Sequence, residues 1–235
     1  MRQRGLVLAG WVTLVLTSAT AAEGRQLPPN LSSLADMLGL KGRGIERWLN
    51  RLGASVSEPA ERLLAVNLEG EALVERNGQG SSVRVDPELD GLLHRPERSI
   101  VLVHNHPASI GLSAEDLRQV GKPGVVAIVA IGHDRSVFIA SAGARMQPDV
   151  FAERQYAPAR EEVLRRLRTE WPSGSVSVPI GEAHFSHLVT LTLARAGIVK
   201  YWFHLRGEGC RTYFEARMAF GRVVTGAAER FTQER

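Results

Sequence analysis

Residues 124–131, GVVAIVAI, form an uninterrupted apolar and largely β-branched run. A segment without polar alternation belongs to a strand buried on both faces, which constrains the fold to a sheet with other elements packed on it. A second strand-like stretch, residues 99–103, lies upstream, and a short helix is predicted between them, from Ser113 to about Val120. The chain has 235 residues, 44% of them hydrophobic, enough for one full core with extensions. Cys210 is the only cysteine, so no intramolecular disulfide can form and packing must hold the fold together.

The flanking segments add elements to this centre. Residues 62–67 and 72–76, separated by a turn at Glu69-Gly70, predict a β-hairpin. Residues 87–93 predict a helix capped by Asp86. Residues 149–169 are charged and amphipathic with a kink expected at Pro158, residues 182–196 predict a helix and residues 199–205 a strand. Residues 31–52 carry helical spacing, and residues 24–30, with Pro28-Pro29, form a linker.

The first 22 residues are read as a secretory leader: Arg2 and Arg4 make a basic start, residues 5–16 are apolar, and Ala19-Thr20-Ala21 supplies small residues for cleavage. An uncleaved leader acting as a membrane anchor is the alternative, although the apolar run falls short of the roughly 20 residues that span a bilayer. Export, to a periplasm or beyond the cell, is the expectation, with membrane contact only if the leader stays attached. The formal net charge is +4, from 29 basic and 25 acidic residues. That balance does not call for a nucleic-acid partner, because phosphate binding needs a concentrated basic surface.

Chemistry concentrates in residues 101–116, VLVHNHPASIGLSAED. His104 and His106 end the apolar strand two residues apart, so both imidazoles project from one face. Pro107 ends the ladder and turns the chain away. Asp116, in the first turn of the next helix, can point back as a third ligand. Two histidines and one carboxylate leave an open coordination position, the arrangement of catalytic rather than structural zinc. Ser113 and Asp116 also have the spacing of a helix capping box, a role that needs no metal. An iron site built on the same facial triad is a further alternative.

The segment resembles the JAMM (MPN-plus) metalloprotease family: a glutamate on an early strand, then His104-Asn105-His106-Pro107, a short loop, and Ser113-x-x-Asp116. It is most similar to compact bacterial members, over roughly residues 58–142. The resemblance implies an α/β fold, a mixed curved sheet flanked by helices around a JAMM/cytidine-deaminase-like core. That core is placed at residues 56–146, after a linker and helical extension at 23–55 and before an α/β C-terminal extension at 147–235.

It also implies one zinc ion per chain on His104, His106 and Asp116, Glu61 as general base with Glu58 as runner-up, and Ser113 as donor to the tetrahedral intermediate. The implied activity is hydrolysis of a peptide or isopeptide bond in a peptide or protein substrate, either ubiquitin-like or from the cell envelope. A catalytically inactive module of the same fold and a RadC-type nucleic-acid-processing protein are the alternatives. Among the other candidates, Asn105 is expected to secure the neighbouring loop by hydrogen bonding, and His133 to be a solvated turn residue. His184 and His187 have no partner completing a second metal site, and Cys210 is read as a non-catalytic thiol.

Overall fold

The computed structural model describes residues 25–26, 52, 60–78, 83–106 and 111–233. The leader, most of the 31–52 helical segment, Glu58 and the turn after His106 lie outside the described residues. The architecture is α/β, a mixed sheet flanked by helices.

Six strands build the sheet: β2 (Arg62–Val66), β3 (Ala72–Asn77), β4 (Ile100–His106), β5 (Val125–Gly132), β6 (Val137–Ala142) and β7 (Val199–His204). A two-residue strand, β1 (Arg25–Gln26), adds to one edge, giving the order β1-β7-β6-β5-β4-β2-β3. β4 and β5 run parallel, as do β1 and β7, and the remaining neighbours are antiparallel. Two antiparallel neighbours need only a hairpin, whereas the parallel β4–β5 pair needs a crossover. The crossover includes α2 (Ala114–Gln119).

Alternation along the strands sorts the core into two faces. Leu63, Ala65, Ile100, Leu102, Ile128, Ala130, Phe138 and Phe203 face the helices. Leu64, Val66, Val101, Val103, Ala127, Val129 and Ile139 face the other way, joined by buried Leu52. β5 is buried on both sides, as its unbroken apolar sequence requires.

The helical layer comprises α1 (Pro87–Leu93), α2, α3 (Ala157–Glu170), α4 (Val178–Ala183), α5 (Phe185–Arg195) and α6 (Gly207–Gln233). Asp86 caps α1 by accepting from the Leu89 N–H at 2.9 Å. α5 packs against α3, α6 and β7, which explains why nearly every side chain on it is buried. Its two buried threonines, Thr190 and Thr192, satisfy their hydroxyls on the carbonyls of Ser186 and Leu188, each at 2.9 Å.

Several expectations need correction. The 182–196 segment is two helices, broken at His184, whose ring bonds Thr212 of α6 at 2.9 Å. Pro158 lies where a π-helical turn at Phe151–Tyr156 passes directly into α3, so the regular α-helical hydrogen bonding is interrupted next to it. The 24–30 linker contributes β1, and the 27-residue α6 had no counterpart among the expected elements. The chain after residue 146 supplies β7 to the common sheet and most of its helical cover.

Candidate metal centre

Four side chains from three elements meet at one end of β4. The antiparallel register sets Leu63 opposite His104, and Glu61, two residues before Leu63, emerges on the same face. His104 and His106 continue the inward row of Ile100 and Leu102. Asp116 comes from the first turn of α2. The structure therefore brings together Glu61, His104, His106 and Asp116, while Glu58 is outside the described residues.

The Asp116 carboxylate faces both imidazoles, with Oδ1 3.3 Å from His104 Nε2 and Oδ2 3.2 Å from His106 Nε2. Glu61 Oε1 stands 3.8 Å from His104 Nε2. Glu61, His104 and His106 form a buried cluster able to hold a metal ion, their ligand atoms all within 4.8 Å of one another. His104 is 0% exposed and Glu61 6%. Two carboxylates buried this deeply are costly without compensating positive charge.

Ligands about 2.0 to 2.1 Å from a tetrahedral zinc lie roughly 3.3 to 3.4 Å apart, because a tetrahedron's edge is about 1.6 times its centre-to-vertex distance. The separations to Asp116, 3.3 and 3.2 Å, are close to that length but run from different carboxylate oxygens, and the three residues that each bring one ligand atom within 4.8 Å of the others are Glu61, His104 and His106. In addition, neither ring nitrogen of buried His104 makes a well-directed hydrogen bond among the described residues, although the Asp116 carboxylate and the Val129 backbone lie close to the ring. An imidazole left so is unusual, and an ion at Nε2 accounts for one of the two nitrogens.

Electrostatics divides the two carboxyls. Burial raises the pKa of Glu61, and the nearby His104 and His106 only partly offset it. Burial would also raise Asp116, but His104 and His106 more than reverse this and hold it well below the ordinary carboxylate range. For His104, burial disfavours the charged ring, yet Asp116 and Glu61 outweigh it and the pKa is raised.

Ser113 is exposed at the start of α2, and its capping box is present in full. Its Oγ accepts from the Asp116 N–H at 3.1 Å, and Asp116 Oδ2 accepts from the Ser113 N–H at 2.7 Å. The box therefore orients the carboxylate that faces the histidines, so capping and ligand placement are one arrangement. Asn105 is buried and hydrogen-bonds the backbone on either side of Glu61, at the start of β2, while the loop after His106 that it is expected to secure lies outside the described residues. His133 is exposed in the β5–β6 turn. Cys210 is a free thiol in the first turns of α6.

Tyr156 escaped sequence reasoning. Burial raises its pKa, Arg160 lowers it, and the charge of Asp116 raises it further, which places this phenol within electrostatic reach of the centre. Its only signal is the packing of the π-helical turn on α2, which no local spacing reveals. The chain matches no protein-family model, no curated protein and no solved structure.

Proposed function

We propose that this chain is a zinc-dependent amide hydrolase of the JAMM type, cleaving a peptide or isopeptide bond with one zinc held by His104, His106 and Asp116. The observation that carries the reading is the pair of 3.2 and 3.3 Å separations between Asp116 and the two histidines, with Glu61 facing the same point. In this reading residues 56–146 are the JAMM core and the chain after 146 covers it.

When bound, zinc lowers the pKa of its water from 15.7 to about 7 and polarises the scissile carbonyl. The protein's own groups do the rest. Glu61, 3.8 Å from His104, accepts a proton from the attacking water and returns it to the leaving amine. Ser113 spends only an oxygen lone pair on its cap, so its hydroxyl hydrogen is available to the developing oxyanion. Asp116 stays ionised, fixed by the Ser113 N–H.

The leader directs this activity outside the cytosol, to a peptide or protein of the envelope or the surroundings, and nucleic acid has no part in it. Zinc-loaded protein without its leader, screened on a peptide library, should cut at defined amide bonds, and Glu61→Gln should abolish the cutting. Identical cleavage by Glu61→Gln, or none by the wild type, would contradict the reading.

A further inference from the structure

Asn105 lies between the two histidines, on the opposite face of β4, and is 0% exposed. Its carboxamide reaches the start of β2, where Oδ1 accepts from the Arg62 N–H at 2.6 Å and Nδ2 donates to the Ala60 carbonyl at 3.2 Å. Those two groups belong to the residues immediately before and after Glu61. The Glu61 carbonyl itself accepts from the Gly78 N–H at 2.7 Å, at the far end of the hairpin. The backbone of Glu61 is thus pinned on both sides by one side chain and from the third by β3.

We infer that Asn105 is a positioning residue that sets Glu61 over the metal centre, an inference that rests on the hydrolase reading for what Glu61 does there. Its chemistry is specific. An amide offers a donor and an acceptor a fixed distance apart, and the orientation is unambiguous because Arg62 N–H can only donate and Ala60 C=O only accept. Aspartate would set a second acceptor against the Ala60 carbonyl. A single hydroxyl cannot span both groups, and at 0% exposure no bulk water substitutes. The tripeptide His104-Asn105-His106 therefore holds the metal with its outer residues and the base with its middle one, so any shift of β4 carries ligands and base together.

Displacing a reacting group by about 1 Å costs on the order of 100-fold in rate. Asn105→Ala is therefore expected to lower kcat about 100-fold while KM and zinc content stay near wild type. The decisive comparison uses Glu61→Gln as background: Asn105→Ala should then produce little further loss, because the group it positions is already disabled. Equal losses in both backgrounds, or wild-type kcat in Asn105→Ala, would overturn the inference.

Asn105→Asp, which keeps the acceptor for Arg62, serves if the alanine variant does not fold, with the same outcome expected. A second readout needs no turnover. The Glu61 carboxyl ¹³C resonance of zinc-loaded protein, assigned by its absence in Glu61→Gln, should move in Asn105→Ala. An unmoved resonance would overturn the inference even if the wild type proved to hydrolyse nothing, whereas a moved one without hydrolysis would retain the positioning and remove the hydrolase reading.

Discussion

Acid should unfold this protein through two histidines that take no part in the metal centre. His187 is 1% exposed and His184 4%, on α5 and at the break before it. Phe203, Tyr213, Tyr201 and Phe138 surround the first ring, and Phe220 and Tyr213 flank the second. Burial pushes His187 down to about 3, with His184 adding to the shift, and burial alone pushes His184 to about 4. The polar groups facing them do not reverse this. Tyr201, whose own pKa burial raises well above the usual value, bonds His187 Nδ1 at 2.8 Å as a neutral phenol. Asp134 and Glu208 line the same cavity of about 470 Å³, but Asp134 accepts from Ser136 and Glu208 pairs with Arg211.

In the unfolded chain each imidazole titrates near the ordinary value of about 6.5. Because the folded values lie below this, the unfolded state binds more protons, and stability falls as pH drops from about 6.5 toward the folded values of about 3 and about 4. At about pH 5 the unfolded forms gain roughly 1.5 pH units of protonation free energy, about 2 kcal/mol for each histidine and about 4 kcal/mol for both. That is a large share of the 5 to 15 kcal/mol, roughly, that a folded domain has in hand. Urea denaturation of zinc-free protein at about pH 7.5 and about pH 5 measures it, with His184→Gln/His187→Gln as the reference. The wild type should lose about 4 kcal/mol more than the double variant between the two conditions, and each single variant about half of that. Parallel losses in all four proteins would refute the reasoning.

Three further outcomes are expected. Glu61→Gln should retain zinc but lose roughly 100- to 10,000-fold in kcat, the range for removing a general base, as measured by steady-state kinetics beside metal analysis. Ser113→Ala should lower kcat by roughly 100-fold, as loss of one oxyanion donor does, with kinetics on a cleaved peptide as the check. Gly143→Ala should cost about 2 kcal/mol or more in a urea titration, because its β-carbon would collide with the Gly197 carbonyl oxygen and lie 2.7 Å from the Ile198 carbonyl carbon, where only backbone could move.

What could be read in the sequence was what local pattern encodes. β2, β4 and β5 announce themselves by apolar runs, α1 by Asp86 and Pro87, and α2 by the Ser113–Asp116 box. The same local rules put His104, His106 and Asp116 within reach of one another, since strand alternation and a first-turn carboxylate need no knowledge of distant chain, whereas Glu61 is named through the family resemblance and joins them only through the β2–β4 register. The misses are non-local. α6 carries Gly207, Gly209, Gly221 and Gly226, poor helix formers, and owes its form to packing Phe220, Val223 and Ala227 against α3 and α5. β1 exists only because Trp202 and Phe203, far along the chain, offer a free edge to Arg25 and Gln26. The break at His184 reflects a bond to Thr212 of α6, again invisible to helical periodicity.

The central claim is that one ion is held by His104, His106 and Asp116. Metal analysis of the wild type beside His104→Ala and Asp116→Ala, after dialysis against dilute zinc, tests it most directly. The wild type should retain about one zinc per chain, as a single catalytic site requires, and both variants close to none. Equal zinc in all three proteins would contradict it.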